Sequence, residues 1–87
     1  MFIHVGSGDV MHSDRIIGLF NYQRLQESSE NRSFLRSVVH GHSVEGVSPD
    51  NAKSLILADG GIIYLSLVAT STIKKRVRSA RKSGHIT

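Results

Sequence analysis

The stretch Lys53-Ser54-Leu55-Ile56-Leu57-Ala58-Asp59-Gly60-Gly61-Ile62-Ile63-Tyr64-Leu65-Ser66-Leu67 decides the fold. Two apolar runs of strand length flank Asp59-Gly60-Gly61. Glycine at a hairpin tip supplies the positive φ that a tight turn needs. The spacing predicts strands over residues 53–58 and 62–67. Leu55-Ile56-Leu57 is apolar without alternation, which predicts a central strand buried on both faces.

Upstream of this hairpin, Ser48-Pro49-Asp50-Asn51 is a cluster of turn formers, and residues 44–47 read as a short strand. Earlier still, Ser28 and Ser29 are N-cap candidates, and Glu30 falls where a carboxylate favours the helix dipole. Phe34, Leu35, Val38 and Val39 recur at helical spacing, with Arg32 and Arg36 on the other side and Gly41 as a stop. A helix is expected over about 29–40.

At the amino end, residues 2–5 read as a first strand and 6–9 as a turn. Val10 and Met11 can open a second strand, and Ile16-Ile17-Gly18-Leu19-Phe20 is a further apolar run. Glycine inside such a run marks a bulge or a close backbone approach. Downstream of the hairpin, Thr70, Ser71 and Thr72 offer N-cap oxygens. Ile73, Val77 and Ala80 then form one narrow apolar stripe. This predicts a second helix over about 71–83, ended by Ser83 and Gly84. The order is roughly β-β-α-β-β-β-α, an α+β fold with a small, mostly antiparallel sheet and two helices.

With 87 residues, the chain is read as one domain, 1–87. A domain this small buries only about 60% of its unfolded surface, so it commonly needs a staple. There is no cysteine, which excludes disulfides and a thiolate metal site and leaves self-association as the simplest extra stabilisation. The first residues do not read as a signal peptide. The longest apolar stretches, 55–58 and 62–65, fall far short of the roughly 20 residues of a membrane span. A soluble, cytoplasmic protein with no membrane partner is expected.

Charge is asymmetric. Residues 1–59 hold five Lys/Arg and seven Asp/Glu, a net −2, whereas residues 60–87 hold six Lys/Arg and no acid, a net +6. The six are Lys74, Lys75, Arg76, Arg78, Arg81 and Lys82, all on the second predicted helix. Like charges at i,i+4 repel, which costs some helix stability unless an anion neutralises them. Phosphates do this and release counterions. The alternative is a solubilising tail. The apolar stripe lacks Trp, Phe or Leu to insert into a membrane surface. Part of the stripe can instead pack between subunits, with only some cations reaching DNA. Arg15 and Lys53 each open an apolar strand and are secondary DNA-binding candidates, or edge-strand gatekeepers.

Other constellations point to no chemistry. His40 and His42 flank Gly41 with no carboxylate or thiol nearby, a poor metal site, and a helix C-terminus favours a structural histidine. His4, His12 and His85 have no useful spacing, and adjacent His12, Ser13 and Asp14 seldom converge on one point. Gly6-Ser7-Gly8 lacks the lysine and helix of a phosphate loop. Tyr22 and Tyr64 are too few for base stacking. No catalytic residue, cofactor, metal or small-molecule substrate is expected, and the protein is read as not an enzyme. The rival readings are an RNA-binding module and a structural oligomer with an acidic protein partner.

Four segments carry a resemblance: Phe2-Ile3-His4-Val5-Gly6, Ile16-Ile17-Gly18-Leu19-Phe20, Lys53-Ser54-Leu55-Ile56-Leu57 and Ser71-Thr72-Ile73-Lys74-Lys75-Arg76. In order and spacing they resemble the RemA/RemB-type family of bacterial extracellular-matrix (biofilm) regulators, closer to the RemB-type branch. The match spans most of residues 1–76 and leaves out 77–87. The resemblance implies a DNA-binding transcriptional regulator that activates matrix genes. It also implies a small α+β subunit assembled into a closed homo-oligomeric ring, with duplex DNA on basic residues around the rim. Arg15 matches an arginine before the second apolar run of RemA-type members, and Lys53 a basic residue before the central strand. Where those members carry an arginine pair ahead of that strand, this chain has Asp50 and Asn51. The C-terminal cations are expected to compensate.

Overall fold

A computed structural model describes residues 1–84, of which 82–84 by backbone alone. The predicted hairpin is the centre of the molecule. Strands β5 (Ser54–Ala58) and β6 (Ile62–Ser66) pair antiparallel, with Ser54 opposite Ser66 and Ala58 opposite Ile62. Gly60 and Gly61 both take φ +74° at the tip, which a side chain would make costly. On the far side of β5 lies β3 (Ile16–Asn21), antiparallel, and on the far side of β6 lies β4 (Ser43–Gly46). The sheet order is therefore β3-β5-β6-β4.

Both faces of the central strands are buried, as the unbroken apolar run requires. Ile56, Ala58 and Tyr64 share one core with Ile3, Val5, Met11, Ile16, Ile73 and Ala80. Leu55, Ile63 and Leu65 share the other with Tyr22, Leu25 and Ala52. The first face is covered by a separate hairpin, β1 (Phe2–His4) with β2 (Val10–His12), and by helix α2 (Thr70–Gly84). The second is covered in part by helix α1 (Ser29–Val39), through Leu35 and Val38.

Local signals place the elements. Ser28 Oγ accepts from the Asn31 amide at 3.0 Å and caps α1, while Gly41 follows the helix at φ +84°. The 48–51 turn closes with the Asn51 amide donating to the Ser48 carbonyl. Gly18 does sit at a bulge: pairing jumps from Ile16–Ala58 to Gly18–Leu57 and leaves Ile17 without a partner.

The α+β class and the mostly antiparallel pairing hold, three of the four strand pairings being antiparallel, and four details are added or changed. Three strands precede α1 instead of two, because the Ile16 run is a full strand of its own. The sheet is mixed, since β4 runs parallel to β6, and the β1–β2 hairpin forms a second sheet. Gly46 permits the close β4–β6 approach: its φ is +96°, and a Cβ there would overlap the Leu65 carbonyl oxygen. Helix α2 begins at Thr70, whose hydroxyl bonds Ser54 Oγ at 2.8 Å. The apolar stripe of α1 is covered only in part: Leu35 and Val38 pack half-buried, while Phe34 stays 45% exposed and Val39 37%.

Candidate nucleic-acid interface

Helix α2 is held to the sheet by its predicted stripe. Ile73 and Ala80 are buried in the first core, and Val77 packs against it. Its start is anchored by two buried serines that oppose each other across β5 and β6. Ser54 Oγ donates to the Val68 carbonyl at 2.7 Å, so its lone proton is used and Thr70 is the donor in the Thr70–Ser54 bond. Ser66 Oγ donates to the Val5 carbonyl and accepts from the Val68 amide at 2.9 Å. Both hydroxyls are satisfied, which removes the desolvation cost of burying them. Together they fix the 66–70 link that aims the helix.

Anchoring the 73/77/80 stripe sorts the cations, because each residue turns the helix by roughly 100°. Lys74, Arg78 and Arg81 fall on one flank and border a cleft with β3, lined also by Ile16, Ile17, Leu19 and Val77. Lys75 and Arg76 line the opposite groove with Phe2, Ile3 and His4 of β1. Arg76 is committed there: its Nη1 donates to the His4 carbonyl at 2.9 Å. Lys74, Lys75, Arg76, Arg78 and Arg81 are all exposed. Among the described residues none of them forms an ion pair with a carboxylate. Lys82 lies in the last turn of α2, its side chain outside the described residues.

The two secondary candidates lie apart. Arg15 precedes β3, where its Nε donates to Asp59 Oδ1 at 2.8 Å beside the β5–β6 turn. Lys53 precedes β5 at the other end, its amide bonded to the Ser66 carbonyl and its side chain exposed. Five residue steps lead from Lys53 to Ala58, so the two candidates flank opposite ends of a strand roughly 17 Å long. Asp50 and Asn51 are exposed in the turn before Lys53, so no arginine stands there.

A second polar cluster escaped the sequence reading. Tyr64, buried on β6, donates its hydroxyl to Asp9 Oδ2 in the turn between β1 and β2. Its pKa is pushed up to about 12, first by burial, then by the bond to Asp9 and the charges of Asp9 and Glu45. Gly6 makes room for it, because a Cβ at that position would collide with the Tyr64 hydroxyl. The signal was faint: one tyrosine inside an apolar strand and one aspartate in a turn.

His12, Ser13 and Asp14 form no nucleophile system. His12 Nδ1 accepts from the Asp14 amide, its Nε2 meets the terminal amine of Met1 at 2.9 Å, and Ser13 is buried. His40 caps α1, while His42 Nδ1 is buried with no hydrogen-bond partner among the described residues. Among the described residues, no cluster of three His, Asp or Glu is placed to hold a metal, and no helix is long and apolar enough to cross a membrane. His85 lies outside the described residues.

The match to known families covers the fold just described and the first half of α2. Residues 2–77 match the model of the RemA-like family, described as extracellular matrix regulatory protein A-like. The match is to the family and selects no branch within it. No curated protein matches the chain. Because the family model spans both cores but for Ala80, together with the hairpin and the anchored start of the basic helix, the chain belongs to the RemA-like family of extracellular matrix regulatory proteins.

Proposed function

We propose that this chain is a cytoplasmic DNA-binding transcriptional regulator of extracellular-matrix genes, working as a ring-like homo-oligomer that grips duplex DNA through repeated basic residues. The observation that carries the reading is α2. It is a rigidly anchored helix presenting Lys74, Lys75, Arg78 and Arg81 to solvent, with no carboxylate bound to them among the described residues. Like charges so placed repel until an anion arrives, and a polyphosphate neutralises several at once. Arg15 and Lys53 add contacts at the two ends of β5, and Lys82 extends the series along α2. Arg76, bonded to β1, contributes chiefly by holding the helix.

Repetition follows from energetics. One subunit with a few phosphate contacts binds weakly at physiological salt, whereas rigidly linked copies raise the effective concentration of each next contact. The half-covered stripe of α1 and the exposed edge β4 leave apolar surface for contacts between copies. Phosphates then supply affinity, and DNA deformability along the rim supplies preference.

Salt dependence tests the reading. The slope of log affinity against log salt should fall by about 0.9 for each phosphate that the protein no longer neutralises. The combined variant Lys74→Ala, Arg78→Ala, Arg81→Ala should flatten it accordingly. An unchanged slope clears α2 of the role, and equal or better binding to RNA redirects the assignment.

A further inference from the structure

We propose that Ile17 is an apolar contact to duplex DNA, seated in the cleft rimmed by Lys74, Arg78 and Arg81. The inference rests on the nucleic-acid reading above and names a residue that reading does not use.

Ile17 occupies the bulge of β3. With Ile16 paired to Ala58 and Gly18 to Leu57, Ile17 has no partner on β5 and stands 66% exposed. A bulge re-aims the side chain it carries and is over-represented beside functional sites. Here the bulged residue lines the same cleft as three of the α2 cations, together with Ile16, Leu19 and Val77. An isolated exposed apolar side chain needs no explanation. One presented by a bulge beside three cations that pair with no carboxylate among the described residues has a specific neighbourhood.

The chemistry of that neighbourhood selects the occupant. Lys74, Arg78 and Arg81 lie within roughly 10 Å along the helix axis. A duplex carries one charge per about 1.7 Å of its axis, so a single occupant neutralises all three. A protein partner would have to gather three carboxylates on one small patch. Between its phosphates a duplex exposes deoxyribose and base edges, which are partly apolar. Proteins that bind the minor groove insert isoleucine, leucine or phenylalanine between its base steps. Ile17 stands beside the rim cations, where this surface meets the protein.

The experiment titrates duplex DNA with the full chain over a series of salt concentrations, for the parent and for Ile17→Ala, Ile17→Leu and Arg78→Ala. Light scattering gives the assembly mass of each. Truncation at Ile17 removes apolar burial, so Ile17→Ala should bind roughly fivefold more weakly at every salt concentration, with an unchanged slope. Ile17→Leu keeps the apolar volume and should restore parent-like affinity. Arg78→Ala should lower the slope by about 1. The proposal is overturned if Ile17→Ala binds like the parent or if its slope falls as in Arg78→Ala. It is also overturned if the Ile17→Ala assembly is smaller, which would place Ile17 between copies. A parent chain without salt-dependent affinity for duplex DNA overturns the nucleic-acid reading itself. Tight parent binding with an indifferent Ile17→Ala overturns this contact alone.

Discussion

Arg15 Nε donates to Asp59 Oδ1 at 2.8 Å, joining the start of β3 to the turn between β5 and β6 across 44 positions of sequence. Both side chains are exposed, so the pair adds little to stability. Its larger effect is on the availability of Arg15, since a phosphate must compete with Asp59 for the guanidinium. Asp59→Asn removes the competing charge and should steepen the salt slope of DNA binding by about 0.9 per engaged copy. Filter binding at three or more salt concentrations reads this directly. An unchanged slope and affinity in Asp59→Asn would show that Arg15 never meets a phosphate.

Arg76 and Arg78 are two residues apart on α2 and should behave differently. Arg76 is bonded to the His4 carbonyl, whereas Arg78 borders the cleft with β3. Arg76→Ala should lower unfolding stability by about 1 kcal/mol, the usual worth of one hydrogen bond, and shift the salt slope little. Arg78→Ala should leave stability within about 0.5 kcal/mol, as most exposed substitutions do, and reduce the slope by about 0.9. Urea unfolding and DNA titration on both variants separate the roles. Equal decreases in slope would mean that Arg76 leaves His4 to bind phosphate.

Tyr64 makes stability depend on pH in the alkaline range. Its pKa in the folded chain is raised to about 12, against an ordinary value of 10.0. Between those values the unfolded chain releases a proton that the folded chain keeps. The stabilisation is therefore complete below pH 10 and is lost as pH rises through 12. Tyr64→Phe lacks the ionisable hydroxyl, so its stability should decline less over this window. Urea unfolding at pH 9, 10, 11 and 12 compares the two. Parallel curves would remove Tyr64 as the source.

The hairpin and both helices were legible because each rests on local chemistry. Glycines at the tip, a serine cap before α1 and a 73/77/80 stripe on α2 all lie within a few residues of what they decide. The parallel pairing of β4 with β6 was not legible. It depends on Gly46 meeting the Leu65 backbone, a contact between segments far apart in sequence. The site was half legible for the same reason. Periodicity placed the cations on one helix, but the sorting into a cleft flank and a β1 flank came from which side of α2 is buried. Arg76 could not be told from Arg78 until the His4 carbonyl was known to lie beside it. Ser54 and Ser66 are polar breaks in apolar strands, and their pairing across β5 and β6 explains both at once.

Self-association should depend on the face that α1 and β4 leave open. Val39 and Val44 line a groove of about 380 Å³ with Leu35, Ile63 and Leu65, and they remain 37% and 47% exposed. Strand β4 is the sheet edge beside it, exposed along its whole length. A second copy covering this groove would bury both valines. A carboxylate at either position would then have to be desolvated without a partner, at a cost of several kcal/mol. In the isolated subunit the same carboxylate stays in water and costs little. Val39→Asp and Val44→Asp should therefore weaken association at least about tenfold while leaving circular dichroism unchanged. Light scattering against concentration measures the first effect. DNA affinity should fall with the assembly even though every α2 cation is intact, because the subunits no longer act as one linked array. An undiminished assembly mass in both variants would move the contact between copies to another surface. A diminished mass with undiminished DNA affinity would show that one subunit suffices to grip the duplex.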